Sequence, residues 1–130
     1  MIVVRNLSLR QGAFALDGIT FAVPTGQYAV LMGKTGSGKS SILEVLCGLR
    51  PAAGGNITLM DRDVTACKPA ERGVGYVPQD RALFPTMTVR EHLAFALVIR
   101  QWDRHAIERR VGELADLLGI QDLLQRKPTA

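Results

Sequence analysis

The residues with the clearest chemical meaning are Gly33-Lys34-Thr35-Gly36-Ser37-Gly38-Lys39-Ser40, which fit the pattern G-x-x-x-x-G-K-[ST] without substitution. A triphosphate must be wrapped by backbone N–H groups, and the wrapping loop needs glycines to reach conformations that a side chain forbids. A helix that follows such a loop aims its free N–H groups and partial positive charge at the anion. In this pattern Lys39 reaches the β- and γ-phosphates as a point charge, and Ser40 offers its hydroxyl to Mg²⁺. Ser41 adds a second hydroxyl on the α-phosphate side. The dinucleotide pattern G-x-G-x-x-G is not met, because Gly36-Ser37-Gly38 runs into Lys39-Ser40-Ser41. The stretch therefore reads as a loop for a nucleoside triphosphate.

Such a loop needs a strand before it and a helix after it. Gln27–Met32 is a short apolar run ending at Gly33, which predicts a buried parallel strand. From Ser40 to Leu49, Ile42, Leu43, Val45, Leu46 and Leu49 recur at helical spacing, with Gly48 near the end. Upstream, Ile2–Leu9 and Ala13–Val23 predict two antiparallel strands joined by a turn at Gln11-Gly12. Phe14 opens the second strand, and its spacing leaves two readings open: an aromatic stacked on an adenine ring, or a core phenylalanine. Pro24-Thr25-Gly26 is a turn into the central strand.

Downstream, Arg50–Gly55 reads as a loop and Asn56–Asp61 as a strand. Ile57-Thr58-Leu59-Met60-Asp61 has the look of an apolar run ending in a Mg²⁺-binding aspartate. That reading is rejected, because Thr58 interrupts the run and Asp61 follows the phosphate loop too closely; Asp61-Arg62-Asp63 is read as a turn. Pro69–Arg72 is a short helical turn or loop, and Val74–Val77 a strand that Pro78 stops by lacking an N–H. Gln79 then sits where a strand opens into a loop, the place where α/β folds bind ligands. Its amide is either a ligand to Mg²⁺ or a water, or a solvated loop side chain. Thr88 with Glu91 forms a capping box for a helix from Val89 to about Arg100. Asp103 caps a further helix carrying Ile107, Val111, Leu114, Leu117 and Leu118, which Gly119 ends, and Leu123-Leu124 belong to a last short turn. His92 and His105 are isolated on these helices and read as structural or exposed.

With 130 residues, 47% of them hydrophobic, the chain is long and apolar enough to bury a core. The net charge of +4 is mild, and Arg104, Arg109 and Arg110 alternate with Asp103, Glu108 and Glu113. That is a solvated face, which argues against nucleic acid as a partner. Cys47, expected to be a small buried residue, and Cys67 read as free thiols of a reducing compartment. Met1–Arg5 carries no signal-peptide pattern, and the apolar run Leu93–Ile99 is too short to span a bilayer. A cytosolic location is expected, or attachment to a membrane through a partner. No metal-ligand cluster, repeat or low-complexity tract stands out.

Together, Gly33–Ser41, Val77-Pro78-Gln79 and the interval Ala82–His92 resemble the N-terminal half of the ATP-binding subunit of an ABC transporter, across essentially the whole chain. The flavour is that of bacterial importers of oxyanions such as sulfate or molybdate. The resemblance implies an α/β P-loop NTPase fold of the ABC ATPase type, incomplete. It would comprise an antiparallel β region over 1–26, the P-loop core to the Q-loop over 27–88, and the start of a helical subdomain over 89–130. It makes Phe14 the A-loop aromatic and Gly33–Ser41 the Walker A loop. It makes Gln79 the Q-loop glutamine that senses Mg²⁺ and the γ-phosphate, and it puts the segment from Arg81 through the Val89 helix near the membrane subunit's coupling helix.

The resemblance further implies ATP and Mg²⁺ as ligands, a transmembrane permease as partner, and a head-to-tail homodimer in the full-length protein. The location would be the inner face of the membrane. The family's signature, Walker B aspartate, catalytic glutamate and switch histidine would fall beyond Ala130. No catalytic residue is therefore expected within 1–130, and turnover near background is expected. The chain reads as a truncated or fragmentary domain with unpaired sheet edges and partial order. Two other readings are carried: a different P-loop protein, such as a kinase or a nucleic-acid-stimulated ATPase, and a non-catalytic module docking on a membrane subunit.

Overall fold

The computed structural model of the chain describes residues 1–79 and 83–128. They fold as two compact units, Met1–Tyr76 and Val77–Ala130.

The first unit is built on an antiparallel sheet of β1 (Ile2–Gln11), β2 (Phe14–Val23), β3 (Gly54–Leu59) and β4 (Arg62–Asp63), in the order β2-β1-β3-β4. Gln11 pairs with Phe14 around the expected turn at Gly12. The alternation of β1 is imperfect for a physical reason. Asn6 stands at φ 48, and the register with both neighbours shifts there, so the inward positions pass from Val4 to Leu7 and Leu9. The bulged N–H of Asn6 is satisfied by the Thr20 hydroxyl at 2.9 Å. Val4, Leu7 and Leu9 pack with Ile57, Leu59 and Val64, and with Ile42 and Val45 of helix α1 (Lys39–Leu46). Met60 and Asp61, both at positive φ, make the two-residue hairpin between β3 and β4, so Asp61 is an exposed turn residue.

Two expected strands are not formed. Neither Gln27–Met32 nor Val74–Val77 joins a ladder among the described residues. β1 is already flanked by β2 and β3, and no other described strand lies alongside these runs. An apolar pattern states what the side chains favour, but a strand exists only where its N–H and C=O groups find a neighbour. Tyr28, Met32 and Val77 are accordingly 92%, 84% and 93% exposed. Beside the first run lies an apolar hollow of about 450 Å³, walled by Phe21, Val30, Ile42 and Leu46 among others. Helix α1 is also shorter than expected, and Cys47 at its end is half-buried rather than buried.

The second unit is a helix pair, α2 (Val89–Ile99) and α3 (Arg104–Leu118), followed by a single 3₁₀ turn at Gln121–Leu123. Their ends follow the caps read from the sequence. Thr88 and Glu91 form the capping box, Asp103 accepts from the N–H groups of His105 and Ala106, and Gly119 closes α3 in the left-handed region. Carbonyls of Leu124 and Arg126 accept from Arg90 and Val89, satisfying further N–H groups of the first turn of α2. Arg90 pairs with Glu108 between the helices. No described helix is long and apolar enough to cross a membrane.

Candidate functional site

The glycine loop leads into α1 through Gly38, the N-cap residue, at φ 90. A Cβ at this position would lie 2.6 Å from Leu16 Cδ1 and 2.7 Å from Phe14 Cζ. The loop thus rests directly on two side chains of β2, and only glycine offers both the conformation and the clearance. Phe14 is half-buried, with its ring tip against the loop. Within the loop, Ser37 N–H donates to the Lys34 carbonyl at 3.2 Å, closing a turn over Lys34-Thr35-Gly36-Ser37. Gly33 faces the Ser37 side chain, whose Oγ lies 2.8 Å from where a Cβ would stand.

The Lys39 ammonium folds back over the loop and donates to the carbonyls of Lys34 at 2.8 Å and Gly33 at 3.0 Å. Lys34, Thr35, Gly36, Ser37 and Ser40 are exposed, and Ser41 is half-buried. No side chain caps the N-terminus of α1, and its first turn carries no acidic residue. Among the described residues, neither Lys34 nor Lys39 belongs to an ion pair. Uncapped N–H groups, a helix N-terminus and two unpaired ammonium groups form a concentration of donors and positive charge without a carboxylate. That donor set fits a polyphosphate, with the Ser40 hydroxyl accessible for a metal ion bound with it.

The far end of α1 is held by a residue that the sequence did not single out. Arg72 donates through Nη1 to the carbonyls of Val45 at 2.8 Å and Leu46 at 3.1 Å. Its Nε reaches the Cys67 carbonyl at 3.0 Å, and Nη2 the Thr65 carbonyl at 3.1 Å. Nothing in the local spacing marks it, since all four acceptors are main-chain atoms supplied by the fold. Burial pushes the nearby Cys47 thiol up, against the lowering effect of the Arg72 charge.

Gln79 belongs to the second unit, exposed, directly after Pro78. Asp80, Arg81 and Ala82, where the interval after the expected Q-loop begins, lie outside the described residues. The remainder of that interval is organised by His92. Its Nε2 accepts from the Phe84 N–H at 2.9 Å, its Nδ1 donates to the Thr88 carbonyl at 2.8 Å, and its ring stacks on Phe84. His92 is therefore structural. Among the described residues no group of His, Cys, Asp or Glu is arranged to hold a metal ion.

Comparison with known proteins gives a consistent result. The model of the family described as ABC transporter matches residues 16–130. Over 128 residues the chain is 44% identical to an ABC transporter ATP-binding protein, y4fO, of Sinorhizobium fredii, covering 98% of this chain and 34% of that protein. It is 39% identical to the molybdate/tungstate import ATP-binding protein WtpC of Thermococcus kodakarensis, covering 98% of this chain and 39% of that protein. With the sulfate/thiosulfate import ATP-binding protein CysA of Mycobacterium bovis the identity is 41%, over 98% of this chain and 36% of that protein. The chain thus spans between a third and two-fifths of the length of these relatives. Among solved structures, an ATP-binding subunit of an ABC transporter superposes with a TM-score of 0.84 at 26% identity, covering 98% of this chain and 54% of that one. A dimeric ATP-binding cassette bound to ADP and Pi shares the fold, with a TM-score of 0.82 at 20% identity over 98% of this chain and 62% of that one.

Proposed function

The chain belongs to the ABC transporter family, as part of its ATP-binding domain, and from that premise we propose that Gly33–Ser41 binds Mg-ATP in the service of a solute importer. The observation that carries this is the uncapped N-terminus of α1 beneath a glycine loop whose lysine, Lys39, is unpaired with any described carboxylate. Lys39 would exchange the carbonyls of Gly33 and Lys34 for the β- and γ-phosphates. The N–H groups of Lys34 through Ser40 would wrap the chain of phosphates, and Ser41 would face the α-phosphate. Ser40 would hold Mg²⁺, which would supply charge neutralisation to the bound phosphates. Phe14 would turn its exposed ring surface to the base, and Gln79 would sense the γ-phosphate and its Mg²⁺.

Hydrolysis is assigned to the whole subunit, in which a head-to-tail pair would close each site and a transmembrane permease would receive the motion. The relatives named for sulfate and molybdate import support an oxyanion as the solute, and a place at the inner face of the membrane through the permease. No residue within 1–130 is assigned as the group that positions the attacking water, so these residues by themselves are proposed to bind nucleotide without turning it over.

Titration of the chain with ATP, with and without Mg²⁺, tests the reading. Saturable binding strengthened by Mg²⁺ and abolished by Lys39→Ala is expected. Equal affinity in the Lys39→Ala chain would remove the site, and robust turnover by the purified chain would overturn the assignment of hydrolysis.

A further inference from the structure

We propose that Arg72 is a positioning residue for the phosphate loop, holding α1 by its C-terminus so that the loop presents Lys39 and the helix N–H groups in register for a polyphosphate. The inference rests on the reading of Gly33–Ser41 as the nucleotide site. α1 has only eight residues and is therefore about 12 Å long, so whatever fixes its last turn also fixes its first. Its last turn leaves carbonyls without partners inside the helix. Arg72 donates with one nitrogen to the carbonyl of Leu46 and to that of Val45, which also accepts from the Gly48 N–H at 3.0 Å, and with its other two nitrogens it grips the carbonyls of Thr65 and Cys67 in the segment after β4.

Three further features mark this as a built clamp. Among the described residues Arg72 has no carboxylate partner, so its charge is met by these carbonyls and by the negative end of the helix. Gly48, at φ 78, clears the way for it, since a Cβ there would stand 2.6 Å from Arg72 Nε. The planar fork of a guanidinium holds its donors in a fixed geometry toward carbonyls on two segments, where an ammonium on its flexible stem is not pre-organised. The same bonds thus join the rear of α1 to Thr65–Cys67, while Ile42 and Val45 bury its inner face.

The test compares the full chain with Arg72→Gln, Arg72→Lys and Lys39→Ala, measuring affinity for Mg-ATP and for tripolyphosphate at a temperature where each is folded, alongside the melting midpoint. Arg72→Gln is expected to weaken both ligands by the same factor, about tenfold, because the loss acts through the phosphate loop and not through the base. Arg72→Lys carries three donors, enough to tie a carbonyl at the rear of α1 to one in the segment after β4 but not to hold all four acceptors. It is expected to recover most of the affinity while its midpoint stays near that of Arg72→Gln. Affinity that is unchanged in Arg72→Gln, or that simply follows the midpoint in both variants, would overturn the proposal. Should Arg72→Gln not fold, Gly48→Ala displaces the same guanidinium; it is expected to weaken both ligands equally, and unchanged affinity would overturn the proposal. If the unaltered chain binds neither ligand, or Lys39→Ala binds as well as it does, the site itself fails and the inference falls with it. If Lys39→Ala abolishes binding and Arg72→Gln does not weaken it, only the inference fails.

Discussion

The ammonium nitrogen of Lys39 lies 2.8 Å from the carbonyl oxygen of Lys34, so the lysine holds its own loop closed. These bonds are exposed to water, and a net contribution of about 1 kcal/mol or less to stability is expected of them. Replacing Lys39 by Met should therefore leave the melting midpoint within about 5 °C of the parent chain. Mg-ATP binding should disappear in the same protein. Calorimetric unfolding and nucleotide titration on one sample check the pair, and a variant that loses both together would show that Lys39 serves the fold and not the ligand.

Gly38 and Phe14 form a second coupled pair. Gly38→Ala puts a Cβ 2.7 Å from Phe14 Cζ at a φ of 90, and a loss of about 1–3 kcal/mol is expected from strain of this kind. Adding Phe14→Ala should relieve the contact with Phe14 but neither the one with Leu16 Cδ1 at 2.6 Å nor the backbone strain, giving an interaction of about 0.5 kcal/mol or more in the double-mutant cycle. Phe14→Ala alone separates the two roles open to this ring. A base-stacking ring predicts weaker ATP binding with tripolyphosphate binding unchanged, whereas a ring that only supports the loop predicts equal losses for both.

The second unit should be sensitive to acid. Glu91 accepts from the Thr88 N–H at 2.6 Å and the Thr88 hydroxyl at 3.0 Å, and these bonds hold its carboxyl below the ordinary range. Glu108 is likewise held down, by its hydrogen bond from Arg90. A carboxyl depressed on folding contributes its stabilisation above the unfolded value, about 4.3, and loses it as the pH falls from there through the folded value. Helicity of α2 and α3 should therefore decline below about pH 4.5, and Glu91→Gln with Glu108→Gln should flatten that decline. Circular dichroism from pH 6 to about pH 3 reads it, and an unaltered slope in the double variant would contradict the assignment.

Tyr28 and Met32 expose apolar surface on a run whose backbone joins no ladder among the described residues. Such a segment is a template for association. The chain is expected to self-associate at concentrations on the order of tens of micromolar, and Tyr28→Lys with Met32→Lys should suppress this. Because both side chains are exposed, each replacement should change stability by no more than about 0.5 kcal/mol. Light scattering on the two chains decides it, and a parent chain that stays monomeric would refute the expectation.

Much of the candidate site was legible in residue order because the pattern that proposes it is local. A loop that folds around phosphate needs Gly36, Gly38, Lys39 and Ser40 within a few positions, and the caps at Thr88, Asp103 and Gly119 act on N–H and C=O groups one turn away. Such short-range chemistry survives being read as a string, and so the hairpin of β1 and β2, helix α1 and the helix pair were recognisable. What needed the tertiary structure were relationships between distant segments. The apolar runs 27–32 and 74–77 have strand composition, yet pairing depends on a neighbour that composition cannot supply. Phe14 meets Gly38 only because β2 passes under the loop. Arg72, in a stretch that reads as a short helical turn or loop, meets the rear of α1 because folding brings four carbonyls from two segments within reach of one guanidinium. Hydrogen bonds to main-chain atoms carry no side-chain signature in the partner, so only the folded chain decides where they form.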